Sequence, residues 1–558
     1  MFADQQDNQA EESPPVVPSL SRLLRVAAPA MLVMAPLIGL ALHSDQSIAI
    51  YQFASDYGTN PIRILEASLG EIGEFISKGN FRPLGRFIFY LEEAARFDVA
   101  AALGVPPHIV QGAIRVAMVG VLAWAATCVV RALARSATGH AGSSLTDERQ
   151  AIDRLIDVFP LVFASVLIVT GPLHPLSFFP FFLITLAVAI LLVPLYVASD
   201  EAMNSTDLVP RLALPALIGL LAAMTFELMY LLPVTCILMI LLRARLSGLT
   251  LRQIPSTAAF HRWLALCLGF LTVFIPSRIT IAMACSANDC YGNTNPVPSG
   301  FSAGQWLGRF MSGLPVEGWF SMSPGTIDPG ALDQAWSGIS TNVWLVLAAV
   351  ALAVAAVRAG ARLLKHSDHE PSPRAYRQLG TVLVVFGTVL ALSPAFLVSL
   401  SEGLQGWNYR GWGLHDWRDT LLVQVGWAFI LYGTLVMVWS LAAHHGRKGK
   451  SPSRMLTPLL VAGLALCLSL PAVLALGANT RYAESRRDRP LTSIVNLISA
   501  SSVDFDRTAA GEARRCALLA DYGELVCESC WHSGPRLAEQ LNNLSMSRYG
   551  AAFCATPR

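Results

Sequence analysis

Long apolar runs recur along almost the whole chain and are separated by short polar segments. A helix of about 18 or more uncharged apolar residues is long enough to cross the hydrocarbon core of a membrane. The pattern therefore predicts an all-α polytopic membrane protein with about eleven transmembrane helices. The predicted spans lie at residues 22–42, 110–134, 155–171, 180–198, 212–226, 229–243, 263–282, 339–361, 379–400, 421–443 and 455–477.

The fifth and sixth spans come from one continuous apolar run, Leu212 to Arg243. At 1.5 Å per residue, about 32 residues are too many for a single helix across a core of ~30 Å. Glu227 and Pro233 interrupt the run, which favours two short helices joined by a tight hairpin. The alternative is one long tilted helix that kinks at Pro233.

Composition agrees with a membrane protein and excludes several other classes. Hydrophobic residues make up 54% of the 558 positions and charged residues 14%, whereas soluble domains carry about 25% charged residues. The mean hydropathy is +0.50. The formal net charge of +2 gives no reason to expect a nucleic-acid partner. The lipid bilayer is therefore the expected environment, and whole-chain disorder is excluded.

The distribution of basic residues predicts the orientation of the spans. If the N-terminus is cytoplasmic, twenty of the 40 Lys and Arg residues fall on cytoplasmic segments. The two shortest outside turns, near His174 and Glu227, carry none, and cytoplasmic loops are the ones enriched in Lys and Arg. This alternation requires the Glu227 hairpin and places the C-terminus outside.

Cysteines give a second indication of topology. Four of them lie within predicted spans, and the other six all fall outside in this arrangement. An even number of Cys in an oxidising compartment predicts disulfides. Cys285 and Cys290 form the expected local pair, and the last four allow three connectivities. The alternative is a zinc site, because Cys527 and Cys530 have ligand spacing. The six outside residues are Cys285, Cys290, Cys516, Cys527, Cys530 and Cys554.

The chain divides into three predicted parts. Residues 1–20 form a disordered cytoplasmic tail, since they are acidic, polar and Pro-rich. Residues 21–477 form the transmembrane domain, with large outside loops at 43–109, 283–338 and 401–420. The first loop contains an amphipathic helix at 62–76, expected to lie along the membrane interface, and a further helix after Pro83. Residues 478–558 form a small extracytoplasmic domain.

Ionisable residues fall on the predicted outer surface at three separate places. They lie in the segments HSD at 43–45, GNFRPL at 79–84 and FE at 226–227. An ionisable side chain at the membrane surface is costly unless it is paired or has a function. The three segments are therefore candidates for one shared site.

Together these segments resemble the glycosyltransferase C superfamily. Asp45 stands at the outer end of the first span, Arg82-Pro-Leu lies on the amphipathic loop, and Glu227 lies in a later hairpin. The FRPL stretch is most similar to the TPR-containing transmembrane O-mannosyltransferases and their bacterial relatives. The resemblance covers about residues 20–245. It implies sugar transfer from a polyprenyl-phosphate donor to an envelope glycan, lipid or exported protein, in a bacterial-type cell membrane.

Two departures from those relatives limit what the resemblance implies. The relatives often have paired acids after the first span, whereas Gln46 follows Asp45 here. A divalent metal is therefore only a possible cofactor. No TPR array follows the membrane part, so the resemblance does not indicate the acceptor.

The chemistry of such a transfer assigns roles to individual residues. A carboxylate must accept the proton of the acceptor hydroxyl, a role for Asp45, with Asp56 as the competing acid. Cations must stabilise the leaving phosphate, a role for Arg82 and Arg278. Glu227 would orient Arg82 or the acceptor hydroxyl. Further options lie on the aromatic loop: Arg410 and Arg418 for the phosphate, and Trp407, Trp412 and Trp417 for stacking on sugar rings.

Each of these residues also has a plainer interpretation. Asp45 could end a helix in solvent, Glu227 could mark a turn, and Arg82 and Arg278 could hold helices at the interface. The Trp residues could form an aromatic belt. At the level of the protein, a lipid or glycan transporter or flippase, and a non-enzymatic envelope assembly protein, are the alternatives.

Overall fold

The structure, a computed structural model, describes residues 20–138, 153–199, 208–287, 290, 302–320, 328–364, 373–401, 417–446, 456–527 and 532–555. Regular secondary structure in these ranges is helical, which confirms the predicted all-α class. Short 3-10 segments lie at Ala35–Leu37, Glu227–Leu231 and Leu251–Ser256. The α-helices are α1 (Leu20–Met34), α2 (Ser44–Asp56), α3 (Pro61–Gly70), α4 (Ile72–Ser77), α5 (Pro83–Leu103), α6 (Pro107–Thr138), α7 (Phe159–Val166), α8 (Pro180–Val197), α9 (Leu208–Thr225), α10 (Leu232–Leu246), α11 (Ala258–Ala287), α12 (Ala303–Ser312), α13 (Pro315–Phe320), α14 (Ala331–Ser340), α15 (Val343–Leu364), α16 (Pro373–Ser399), α17 (Thr420–Gly446), α18 (Leu456–Arg487), α19 (Pro490–Ser501), α20 (Ala509–Leu525) and α21 (Gly534–Tyr549).

Eight helices in the described ranges are long and apolar enough to cross a membrane. They match eight of the eleven predicted spans, so a multi-pass membrane protein is confirmed at this level. These helices are Pro107–Ala137, Pro180–Val197, Glu227–Leu246, Ala258–Ser286, Val343–Leu363, Arg374–Ser399, Thr420–Leu441 and Val461–Arg487. Two further predicted spans, 22–42 and 212–226, correspond to shorter apolar helices at Leu23–Leu37 and Arg211–Thr225.

The predicted span at 155–171 is wrong as a continuous helix. Helical turns at 153–156 and the short helix α7 form there, and the chain leaves helical geometry at Leu167. Asn479 of α18 satisfies the freed backbone, because its side chain accepts from the Val169 amide at 2.9 Å and donates to the Leu167 carbonyl at 2.9 Å. Gln424 donates to the Ile168 carbonyl at 2.7 Å. This run is apolar because protein buries it, and irregular backbone at membrane depth is tolerated only there.

The break at Glu227 is confirmed. Helix α9 ends at Thr225, Phe226 is extended, and α10 begins only at Leu232. Pro233 lies in the first turn of α10, where no backbone N–H is needed, so the alternative of one helix kinked at this proline is wrong. The closest partner of α9 is α11, since Gly219 of α9 and Gly269 of α11 each lie against backbone of the other helix.

The amphipathic segment at 62–76 forms two helices, α3 and α4, rather than one. On α3, Ile64 and Ser68 are buried, whereas Ile62, Leu65 and Leu69 are exposed. The helix expected after Pro83 is α5, with Pro83 as its first residue.

The C-terminal helices α19–α21 pack directly onto the first outside loop. Leu541 and Leu544 of α21 share one buried cluster with Ile48 and Tyr51 of α2 and Phe97 of α5. Helix α18 runs on without interruption to Arg487, so its end lies ten residues beyond the predicted span. The C-terminal part therefore lies against the loop that carries Asp45.

Two predicted disulfides are present. Cys285 is bonded to Cys290 as expected, and Cys516 is bonded to Cys554, which selects among the connectivities that the sequence left open. Cys527 is also disulfide-bonded, so the zinc alternative is wrong there; Cys530 lies outside the described residues. The remaining four cysteines are free and lie on membrane-spanning helices: Cys128, Cys236, Cys267 and Cys467.

Candidate functional site

Arg82 and Glu227 are in direct contact. The Arg82 Nε donates to Glu227 Oε1 at 2.9 Å, and both side chains are about three-quarters buried. The Arg82 guanidinium also lies over the Phe226 ring at 4.5 Å. Two sequence-predicted site residues, 145 positions apart, thus form one ion pair at the junction of α5 and the α9–α10 break.

A glycine in the first turn of α5 makes the contact between Arg82 and Glu227 possible. A Cβ on Gly85 would lie 2.0 Å from the carbonyl oxygen of Thr225, the last residue of α9. No side chain fits such a gap, so only glycine lets the start of α5 approach the end of α9 this closely. The approach places Arg82 opposite Glu227.

Arg418 is the second cation of the site. Its guanidinium lies 5.1 Å from the centre of the Phe226 ring and 5.0 Å from Trp417. Within the described residues it makes no hydrogen bond or ion pair. Burial lowers the pKa of Arg418 to about 9, and repulsion from Arg82 adds to this, while Glu227 and Asp45 oppose it. A half-buried guanidinium in this state is stabilised by an incoming anion.

A buried ion pair fixes the position of Arg418. The neighbouring residue, Asp419, accepts from the Nε of Arg309 at 2.8 Å, and both side chains are almost fully buried. Arg309 belongs to α12, so the segment before the eighth predicted span holds the turn that carries Arg418 in place. Removing one member of such a pair would leave an uncompensated buried charge.

Asp45 lies at the N-terminal turn of α2. The His43 side chain caps this helix, because its Nδ1 accepts from the Asp45 amide at 3.3 Å, and Gln46 Oε1 accepts from the His43 amide at 3.3 Å. The Asp45 side chain is 41% exposed, and Arg418 interacts electrostatically with it as well as with Arg82 and Glu227. Arg418 is thus the common neighbour of the predicted base and the Arg82–Glu227 pair.

Two histidines flank the Asp45 carboxylate. His43 Nδ1 lies 3.9 Å from Oδ2, and His532 Nδ1 lies 3.4 Å from Oδ1. Burial lowers the pKa of His43 to about 4; Asp45 opposes this, whereas Arg486 and His532 reinforce it. His43 is therefore neutral near pH 7. His532 belongs to the loop before α21, so the C-terminal part contributes a residue beside Asp45.

The other predicted site residues lie in different surroundings. Arg278 donates to the Tyr230 hydroxyl at 2.6 Å and interacts electrostatically with Glu227, so it is a further cation near that carboxylate. Asp56, the competing acid, lies at the opposite end of α2 from Asp45. Trp407, Arg410 and Trp412 lie outside the described residues.

A buried hydrogen-bond network contacts the first turn of α2, which carries Asp45. Gln111 donates to Gln46 Oε1 at 3.1 Å, and Arg96 donates to Gln111 Oε1 at 3.1 Å. Arg96 also donates to both Glu93 oxygens, at 2.7 and 2.9 Å, and contacts Glu92. The network links α5 and α6 to the first turn of α2.

Sequence reasoning missed this network and His532. The sequence could have predicted part of the network, because Glu92, Glu93 and Arg96 occupy the i, i+1 and i+4 positions of one helix. It could not have predicted the role of His532, since only tertiary packing brings this residue to Asp45. Arg418 was one of several options on its loop, and the sequence does not show that it lies beside Phe226 and Arg82.

The described residues offer no ligand set for the divalent metal that the resemblance left open. No three His, Cys, Asp or Glu side chains converge among them. The site instead combines the guanidiniums of Arg82 and Arg418 with two carboxylates and the Phe226 and Trp417 rings.

No protein-family model, curated protein or solved structure matches this chain. The fold and the site define it as a multi-pass α-helical membrane protein with a half-buried arginine and carboxylate cluster at one end of the helix bundle. Any more specific assignment rests on the chemistry of that cluster.

Proposed function

We propose that this protein is a membrane transferase that moves a sugar from a polyprenyl-phosphate donor to an extracytoplasmic acceptor. The observation that carries the proposal is Arg418, a half-buried guanidinium without an ion pair or hydrogen bond in the described structure, beside Arg82. Two adjacent cations that share one aromatic neighbour are unfavourable alone and favourable around a phosphate.

The leaving group explains why cations matter more than an acid in this reaction. Cleaving the bond between sugar and phosphate places negative charge on phosphate oxygens, which are already weakly basic. Fixed guanidinium donors in a partly dehydrated site stabilise that charge as it develops. Arg418 and Arg82 supply these donors, and Glu227 holds Arg82 in place through the 2.9 Å contact.

The acceptor hydroxyl must lose a proton as the new glycosidic bond forms. Asp45 is 41% exposed, enough to meet an acceptor, and it interacts electrostatically with Arg418. It acts as the general base, while Arg278, hydrogen-bonded to Tyr230, adds a further cation near Glu227. The acceptor belongs to one of three classes: an envelope glycan, a lipid or an exported protein.

The disulfides support an extracytoplasmic site. Cys290 Sγ lies 3.7 Å from the Ser77 carbonyl oxygen, just before the Arg82 segment. The Cys516–Cys554 bond lies in the C-terminal part that contacts Asp45. Disulfides persist in oxidising compartments, so we infer the N-in, C-out topology of a bacterial-type cell membrane.

The proposal is tested by sugar transfer in proteoliposomes supplied with labelled polyprenyl-phosphate sugars. We expect Arg418→Gln to lower kcat/KM for the donor by about 10²–10³, the usual effect of losing one donor to a developing oxyanion. Arg362→Gln is the matched control, since Arg362 pairs with Asp157 away from this cluster, and it keeps full activity.

Two results would reject the proposal. One is full transfer by Arg418→Gln. The other is a wild-type protein that moves the intact donor across the bilayer without releasing sugar, which would establish the transporter alternative.

A further inference from the structure

The contact between His532 and Asp45 joins two distant parts of the chain. The loop that carries His532 lies between α20 and α21, and it is held in place by Tyr522, whose hydroxyl donates to the His532 carbonyl at 2.9 Å. Tyr522 is fully buried and also hydrogen-bonds Ser47, two residues after Asp45. An ion pair between Arg548 of α21 and Asp98 of α5 adds a second connection.

The two histidines beside Asp45 are not equivalent. His43 Nδ1 accepts from the Asp45 amide, so this nitrogen carries a lone pair and cannot donate to the carboxylate. His532 Nδ1 faces the other carboxylate oxygen at 3.4 Å and can carry a proton. An imidazole with an ordinary pKa of about 6.5 changes charge in the range where most enzymes operate.

We propose that His532 is a positioning residue that sets the basicity of Asp45, so the C-terminal helices complete the transfer site. Protonated His532 pairs with the carboxylate and withdraws it from the acceptor hydroxyl. Neutral His532 leaves the carboxylate available as a base. This inference rests on the proposed function for its kinetic consequence, whereas the pairing itself does not.

Other polar and charged groups also lie near the Asp45 carboxylate and contribute to its electrostatic environment. Arg418 attracts it from the phosphate side, and Tyr522 faces it from α20. Burial raises the pKa of Tyr522 to about 12, so this residue stays neutral. Arg486 faces His43, which is itself neutral above about pH 4. His532 is therefore the imidazole in the described part of the chain that is placed to hold a proton against the Asp45 carboxylate.

The first experiment measures the pairing without any enzyme assay. Diethyl pyrocarbonate modifies only neutral imidazoles, so its rate at each histidine, followed by peptide mass spectrometry against pH, reports that residue's pKa. A neighbouring carboxylate favours the protonated imidazole. We expect Asp45→Asn to lower the inflection at His532 by about 0.5–1 pH unit, with no change at the exposed His261. An unchanged His532 inflection would overturn the inference.

The second experiment measures the pH profile of transfer. In the wild type, we expect the rate to fall about tenfold as the pH is lowered and His532 pairs with Asp45. In His532→Gln, we expect this step to disappear from the pH profile. A merely structural role would lower the rate at every pH and leave the midpoint unmoved, which would overturn the inference.

The two experiments separate this inference from the proposed function. If the wild type transfers no sugar from any polyprenyl-phosphate donor, the proposed function fails, and the modification experiment still decides the His532–Asp45 pairing. If transfer occurs but its midpoint is the same with and without His532, the proposed function stands and the inference fails.

Discussion

At the scale of single residues, the central feature is the position of Arg418. It interacts electrostatically with Arg82, Glu227 and Asp45, and its guanidinium lies near the Phe226 ring. In the proposed reaction a phosphate gains negative charge while an acceptor hydroxyl loses a proton, so cations and a carboxylate are needed close together.

The role of Asp45 leads to the first residue prediction. Asp45→Asn keeps the shape of the side chain but removes its ability to accept a proton. We expect turnover to fall by about 10²–10⁴, with donor binding largely kept.

Asp56→Asn is the matched control for that variant. Both acids belong to α2, but they stand at its two ends, about 16 Å apart at 1.5 Å per residue. We expect Asp56→Asn to leave turnover nearly unchanged in the same sugar-transfer assay. Loss of turnover in Asp56→Asn alone would assign the general base to the other end of α2.

The Arg82–Glu227 contact predicts a different kinetic pattern. Arg82→Lys keeps the charge but loses the planar fork, so we expect both weaker donor use and a lower rate. Separate kcat and KM measurements at saturating acceptor check this. A change confined to the acceptor KM would contradict the assignment of Arg82 to the donor phosphate.

The sequence predicted part of the site at this scale. Asp45, Arg82 and Glu227 stood out because ionisable residues at span ends are costly, and two of them form an ion pair. His532 did not stand out, because a lone imidazole in a polar loop is unremarkable until packing brings it near a carboxylate. The roles of Trp407 and Arg410 stay predictions.

At the scale of elements, small residues decide which helices pack together. Gly387 of α16 and Gly426 of α17 face each other so closely that a Cβ on either would lie 2.5–2.6 Å from the other's carbonyl oxygen. One heptad away, Gly380 meets Gly433 in the same way. Such contacts let helices in a membrane gain van der Waals packing that lipid cannot supply.

This packing predicts the effect of a single added methyl group. We expect Gly387→Ala to destabilise the protein by about 1–3 kcal/mol, because neither backbone can move away without separating the pair. Thermal unfolding in detergent measures the loss. Gly463→Ala is the matched control, since nothing lies within 4 Å of its added Cβ, and it should be neutral or slightly stabilising. Equal effects of the two changes would contradict the account.

The elements were the most predictable level of the fold. Uncharged runs of spanning length identified eight helices correctly, since lipid and protein interiors both select apolar residues. The same ambiguity produced the error at 155–171. There the apolar run lines the protein interior, and the Asn479 that satisfies its backbone lies more than 300 residues away.

At the scale of the whole molecule, the C-terminal helices pack against the part of the chain that carries Asp45. They share a buried cluster with α2 and α5 and bring His532 to Asp45. The sequence predicted their disulfides and their location after the last span. It did not predict their docking, because that depends on matching surfaces from opposite ends of the chain.

The Cys516–Cys554 bond therefore affects both stability and function in our account. It joins residues 38 positions apart, and a disulfide closing a loop of this size contributes about 2–4 kcal/mol. We expect Cys516→Ser to lower the unfolding temperature and the transfer rate together. Cys467→Ser is the matched control because Cys467 is free and exposed on a spanning helix. Normal transfer by Cys516→Ser would contradict the expected link between this disulfide and function.

The central claim is that Arg82, Arg418 and Asp45 surround one phosphosugar. The most direct measurement is a cryo-EM structure of the wild-type protein in lipid nanodiscs with a polyprenyl-phosphate. We expect phosphate density within hydrogen-bonding distance of the Arg418 and Arg82 guanidiniums, with the Asp45 carboxylate next to the same phosphosugar. Phosphate density at a different place on the protein, with Arg418 still unpaired, would contradict the account.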